Sequence, residues 1–220
     1  MLGVVALWSI TPIFVKLLLR TFDPFTISFL RLAQGILVLL VAYRARGRPG
    51  GARLSRWHVI GGLGVSINYA LFTLGLSLTT ASAGVLMVQI QHVTLATLAA
   101  LILGERLGPI RIAAILSVVA GAAYVAVAQG STSSLLAPER TLGNLVMLAS
   151  GVGWGIYALS NKALSDRLPS LPIVLPMLTI GLLCTGGLAL PNFELRQAPT
   201  PGAVAALVAF SMGRAVYQIA

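Results

Sequence analysis

Apolar residues run along this chain in blocks of a length that can cross a bilayer. A spanning helix needs roughly 20 mostly apolar residues. Eight blocks fit, over residues 1–19, 25–42, 59–78, 81–103, 110–128, 142–164, 171–190 and 202–220. The breaks carry loop chemistry: FDPF after the first block, RGRPGG after the second, GERLGP after the fourth and GSTSS after the fifth. Thr79 and Thr80 are nearly all that separates the third block from the fourth, so those two helices should be antiparallel neighbours. The pattern predicts an all-α membrane protein, a polytopic helical bundle.

Composition supports that solvent. The 220 residues are 57% hydrophobic and only 9% charged, whereas a soluble domain is about 25% charged. So few charges cannot cover a globular surface, and the lipid bilayer becomes a partner. The net charge of +10 would suggest nucleic acid in a soluble protein. Here it has a topological meaning, and no nucleic acid is expected. Arg44, Arg46, Arg48, Arg53 and Arg56 crowd the loop after the second block, Arg106 and Arg111 follow the fourth, and Arg167 follows the sixth. Arg20, Arg140 and Arg196, in the odd-numbered loops, each lie near an acid, Asp23, Glu139 or Glu194. Basic residues collect in cytoplasmic loops, so the even-numbered loops and the N-terminus are expected in the cytoplasm. Cys184 is the sole cysteine, which excludes an intrachain disulfide and a cysteine-based zinc site. The N-terminus is apolar from Leu2 without a basic lead, so a first span is expected there and no cleaved signal peptide.

The chain also repeats. WSITPIFVK, from Trp8 to Lys16, and WGIYALSNK, from Trp154 to Lys162, lie 146 residues apart, and Ser66 and Ser211 lie 145 apart. That spacing fits a unit of five helices. Because five is odd, the second copy must enter from the opposite face, an inverted repeat of the kind common in secondary transporters. The expected domains are 1–130, a first five-helix repeat, and 140–220, a second and incomplete one. The partner of the fifth helix should end near residue 274, so a fragment lacking two helices is expected.

LGERLGPIRIAAILSVVAGAAYVAVA, residues 103–128, resembles the junction of helices four and five in the EamA family of the drug/metabolite transporter superfamily. Gly104, Glu105 and Gly121 stand where that family has a Gly-Glu pair and a helix-five glycine. FDPFTISFLRLAQGILVLL, with Pro24 and Arg31, resembles its second helix, and LTTASAGVL its turn between helices three and four. The resemblance implies a ten-helix inverted repeat that moves small metabolites, often outward, across the bacterial cytoplasmic membrane. The family usually has a proline about thirteen residues before its Glu; here that place holds His92.

Polar residues inside spans are the candidate chemistry, because they default to the bundle interior. On one continuous helix, at about 100° per residue, Gln89 and His92 share a face and Gln91 points elsewhere. Gln89 and His92 are candidates for substrate binding in a central cavity; the alternative is interhelical hydrogen bonding. His92 is also the proton-coupling candidate, since imidazole titrates near neutral pH. Asn68, Tyr69, Trp8, Trp154 and Tyr157 complete the candidate substrate-binding set, against core packing as the alternative. Arg31 is either an anion-binding group near the outer mouth or a snorkelling or structurally paired arginine. Lys16 and Lys162 could frame two gates, although headgroup anchoring is the plainer reading. GGLG at 61–64 and GVGWG at 151–155 have spacings that let helices approach. Pro12, Pro172 and Pro176 are candidate kinks.

The reading is a carrier of small-molecule metabolites working by alternating access, with a homodimer among its partners. No HExxH, GxSxG or GxxxxGK[ST] motif exists in the chain, so no catalytic residue, metal or cofactor is assigned and an enzyme is not expected. The rival classes are a structural or sensing membrane protein, which needs no polar cavity, and an intramembrane enzyme.

Overall fold

The structure, a computed structural model, describes residues 11–45, 53–106, 108–128, 137–194 and 197. Trp8, Ser211 and the eighth expected span lie outside the described residues. Every regular element described is helical: α1 (residues 11–18), α2 (Pro24–Ala45), α3 (Arg56–Leu78), α4 (Ala81–Val88), α5 (Ile90–Leu103), α6 (Pro109–Ala128), a 3-10 turn (Pro138–Arg140), α7 (Thr141–Ser165) and α8 (Ser170–Asn192). Five stretches among them are long and apolar enough to cross a membrane, α4 and α5 counting as one, and α6 holds a shorter apolar helix. The protein is an all-α polytopic membrane protein.

Local chemistry explains the boundaries. Asp23 Oδ1 accepts from the amides of Phe25 and Thr26, both at 2.9 Å, and Pro24 fills a position where no amide is needed, so FDPF starts α2. Ser55 precedes α3, and its amide donates to His58 Nδ1 at 3.0 Å; the histidine takes the place of the usual Glu or Gln of a capping box. Thr80 Oγ1 accepts from the Ala83 amide at 3.2 Å and starts α4. Gly104, in the left-handed region at φ 69°, ends α5 and turns its own amide and that of Glu105 back onto Ala99 O.

One expectation changes here. The fourth span is not one helix: it breaks at Gln89, where Gln89 N–H reaches back to Leu86 O and His92 N–H to Gln89 O, three residues instead of four. By contrast, α8 runs unbroken through Pro176. Pro172 lies in the first turn, where its missing amide costs nothing.

The helices alternate in direction. Down α3, Gly61, Gly64, Asn68 and Gly75 meet Ser160, Gly153, Ser150 and Met147 of α7 in descending order, so α3 and α7 are antiparallel. Gly61 and Val65 meet Met177 and Gly181 of α8 in ascending order, so α3 and α8 are parallel; α2 opposes α8, and α5 runs with α7. Arg44, Arg53, Arg56, Arg106, Arg111 and Arg167 therefore gather at one end of the bundle, and Arg20 and Arg140 at the other.

Glycine sets the tightest crossing. A Cβ on Gly64 would stand 2.8 Å from both Gly153 O and Tyr157 N, so α3 and α7 touch backbone to backbone. Two apolar clusters flank this crossing. One joins Leu32, Leu39, Val65, Met177 and Leu178; the other joins Val15, Leu18, Ile27, Leu76 and Met147. Outward positions are apolar too, with Leu101 77%, Ile110 86% and Leu183 70% exposed. Ser28, Thr73, Ser150 and Ser160 are fully buried. Polar inside and apolar outside is the arrangement a bilayer demands.

Candidate functional site

The polar side chains form a layer between the two apolar clusters. On α2, Ser28 Oγ lies 2.8 Å from Tyr69 O, 2.9 Å from Pro24 O and 3.0 Å from Thr73 Oγ1, tying α2 to α3. One helical repeat further along α2, the buried Arg31 guanidinium stands 4.9 Å from the Tyr69 ring centroid and 5.8 Å from that of Phe72. Cation–π attraction strengthens when the cation is desolvated. Arg31 therefore faces the bundle and does not snorkel to a headgroup.

Asn68 and Ser150 close the α3–α7 crossing. Asn68 Nδ2 donates to Ser150 O at 3.0 Å and to Ser150 Oγ at 3.1 Å, while Ser150 Oγ lies 3.2 Å from Asn68 O. The glycines alongside allow this approach; a Cβ on Gly153 would stand 2.9 Å from Asn68 N. Tyr157 is buried one face over, its ring 5.1 Å from that of the partly buried Trp154 at a 50° tilt. Tyr69, Tyr157 and Trp154 belong to one cluster. Trp8 lies outside the described residues.

The break in the fourth span redistributes its polar residues. Gln91 is the buried member, packed where α7 is stripped to glycine: Cβ atoms on Gly151 and Gly155 would meet Gln91 N at 3.3 Å and Gln91 O at 3.2 Å. Gln89 is half-buried. His92 is exposed, its Nδ1 3.3 Å from Gln89 O. The helical-wheel expectation gave Gln89 and His92 a shared inward face, and it presumed a continuous helix. Across the tightened turn Gln91 still lies apart from the other two, and it is the residue that is buried.

The two lysines have protein partners. Lys16 Nζ donates to Thr79 O at 2.6 Å, and Thr79 Oγ1 donates to Asn144 Oδ1 at 2.7 Å. Lys162 Nζ lies 2.5 Å from Glu105 Oε2, and Arg111 Nη1 lies 2.6 Å from the same oxygen. Hydrogen bonds from Lys162 and then Arg111 hold the Glu105 carboxyl below its ordinary value. Headgroup anchoring is therefore replaced by pairing within the fold. No sequence signal marked these partners, since Lys162 and Glu105 are 57 residues apart. Ser28, Thr73 and Ser150 were likewise missed, because single hydroxyl residues in a span usually bond their own helix.

No group of three or more His, Cys, Asp or Glu that could hold a metal occurs among the described residues. An apolar shell around a buried polar layer, crossed by helices of alternating direction, defines a polytopic helical membrane protein. Residues 1–127 match the EamA-like transporter family, and the chain belongs to it. It is 29% identical over 154 residues to an uncharacterized transporter of Archaeoglobus fulgidus, covering 69% of this chain and 52% of that protein. The chain thus spans about half the length of that relative. A crystal structure of another protein shares the fold at a TM-score of 0.74 and 24% identity, over 99% of this chain and 75% of that one.

Proposed function

We propose that this chain is a secondary carrier that moves small metabolites, in the export direction, across the bacterial cytoplasmic membrane by alternating access. One observation carries the reading: a buried polar layer lies between two apolar clusters. An apolar solute would need no such layer. Residues 1–130 and 140–220 act as two oppositely inserted halves; α1 ends at the end of the bundle where α7 begins, which supports that. The arginine-rich end is cytoplasmic.

The substrate meets Tyr69, Trp154 and Tyr157 as aromatic walls, with Gln89 and His92 contributing from the flanks. Asn68 serves the site by holding its two helices together. His92 carries the coupling proton. A second copy of the chain is the proposed protein partner, to be tested by crosslinking in membranes.

The test is flux in proteoliposomes across a metabolite panel. Transport that Gln89→Ala and His92→Ala both reduce, with expression unchanged, supports the reading. Unchanged flux in both removes the pair from the pathway. Flux driven by a pH gradient should vanish in His92→Ala. Product formation in detergent without any flux would make the protein an enzyme.

A further inference from the structure

We propose that the Glu105–Lys162 ion pair is a latch that keeps the arginine-rich end of the bundle closed in this conformation and must part for that end to open. The inference rests on the carrier reading above.

One carboxylate oxygen ties three elements. Glu105 Oε2 takes Lys162 from the last turn of α7 at 2.5 Å and Arg111 from the first turn of α6 at 2.6 Å, while Glu105 itself follows the left-handed cap that ends α5. Lys162 lies beyond the 1–127 family match and Glu105 within it, so the pair joins the two proposed halves. Gly104 is what aims the acid, because its φ of 69° turns the chain out of the helix at the right residue.

The pair sits just past the packed part of α5. α5 and α7 meet where Gly151 faces Ile90 and Gly155 faces Thr94. Burial continues to Ala99, which is 1% exposed, and ends within the last turn, where Ile102 is 54% exposed. Beyond that turn the long Lys162 side chain reaches Glu105. The opposite end of α7 is built differently. Thr79 and Asn144 bond each other while buried, and a Cβ on Gly143 would stand 2.7 Å from the Leu78 carbonyl carbon. A buried contact of that kind resists opening, because water cannot replace it cheaply. The Glu105 and Lys162 side chains are 28% and 36% exposed, so water can solvate both as they part. A partly wet ion pair past the end of the packed helix, opposed to a dry joint at the other end, makes a reversible latch.

The experiment is cysteine labelling of the full chain in proteoliposomes. Cys184 is replaced by Ser, and a reporter is placed by Ala158→Cys, on the α7 face between Gly155 and Lys162. A membrane-impermeant maleimide is added on the arginine-rich side. Lys162→Met and Glu105→Gln should each raise the labelling rate at position 158 several-fold, and Lys162→Arg should leave it near the parent rate. A second reporter, Ala83→Cys, at a fully buried site toward the other end, should stay protected throughout. Unchanged labelling at 158 in both variants would overturn the latch. A parallel rise at 83 would overturn it too, by showing general loosening. Labelling needs no substrate, so a failure of transport and a failure of the latch are separate results.

Discussion

Gly64→Ala is the sharpest probe of how this bundle is held. The new methyl carbon would stand 2.8 Å from Gly153 O and from Tyr157 N, both backbone atoms that no rotamer change can move. Ordinary contact begins near 3.4 Å, so α3 and α7 must separate by about 0.6 Å at their closest point. One turn along, the Asn68 Nδ2 to Ser150 O bond of 3.0 Å and the Ser150 Oγ to Asn68 O contact of 3.2 Å would stretch toward 3.6 and 3.8 Å, beyond useful hydrogen bonding. Overpacking costs about 1–3 kcal/mol. Interhelical hydrogen bonds in membranes average roughly 0.6 kcal/mol, with a maximum near 1.7. Alanine returns about 0.8–1 kcal/mol of helix propensity. The net loss should be about 1–3 kcal/mol. Unfolding in mixed micelles under rising SDS, followed by tryptophan fluorescence, measures it. Gly35→Ala and Gly121→Ala are the controls, because nothing lies within 4 Å of a Cβ at either place; both should be neutral or slightly stabilising. If Gly64→Ala unfolds with the controls, α3 and α7 do not meet as described and the close-approach argument fails.

The remaining predictions are more local. A double-mutant cycle on Asn68→Ala and Ser150→Ala should return a coupling of about 0.6–1.7 kcal/mol in the same unfolding assay; zero coupling would mean the two do not bond. Because Lys162 and Arg111 lower the Glu105 pKa, its contribution to stability is fully present above the ordinary value of 4.5 and is lost as pH falls through the lowered one. The melting temperature should therefore drop on the acid side in the parent, with a smaller drop in Glu105→Gln; identical acid limbs would refute the pairing. Gly104→Ala should destabilise by about 1–2 kcal/mol, since a Cβ strains the left-handed region, and a crystal or cryo-EM structure should show Glu105 displaced from Lys162.

Much of this architecture was legible in the chain. Block lengths placed the spans, FDPF marked the break before α2, and the glycines at 61–64 and 151–155 marked surfaces able to approach another helix, which the structure shows to be each other. Those signals are local, or depend only on side-chain size. The site was less legible because it depends on phase and reach. The helical wheel separates Gln91 from Gln89 and His92, but it does not say which of those faces meets a neighbouring helix. Lys16 and Lys162 have stems long enough for a headgroup or a neighbour, and their partners Thr79 and Glu105 lie 63 and 57 residues away. Nothing in a one-dimensional pattern decides between those partners.

The break itself shows what decides such cases. A proline at position 92, as the family usually has, would lack the amide that continues a helix. His92 keeps its amide and the helix still breaks, with that amide turned to Gln89 O. The break lies where α7 comes close: at Gly151 a Cβ would stand 2.8 Å from Val88 O, so the Val88 carbonyl occupies space that any other residue would fill. Gln91 packs on α7 beside the same glycine, and His92 is exposed. A local pattern shows the polar residues but not the glycine on a distant helix that receives them. On this reasoning Gly151→Ala should move His92 and Gln91 together, whereas a proline at 92 should leave the break in place.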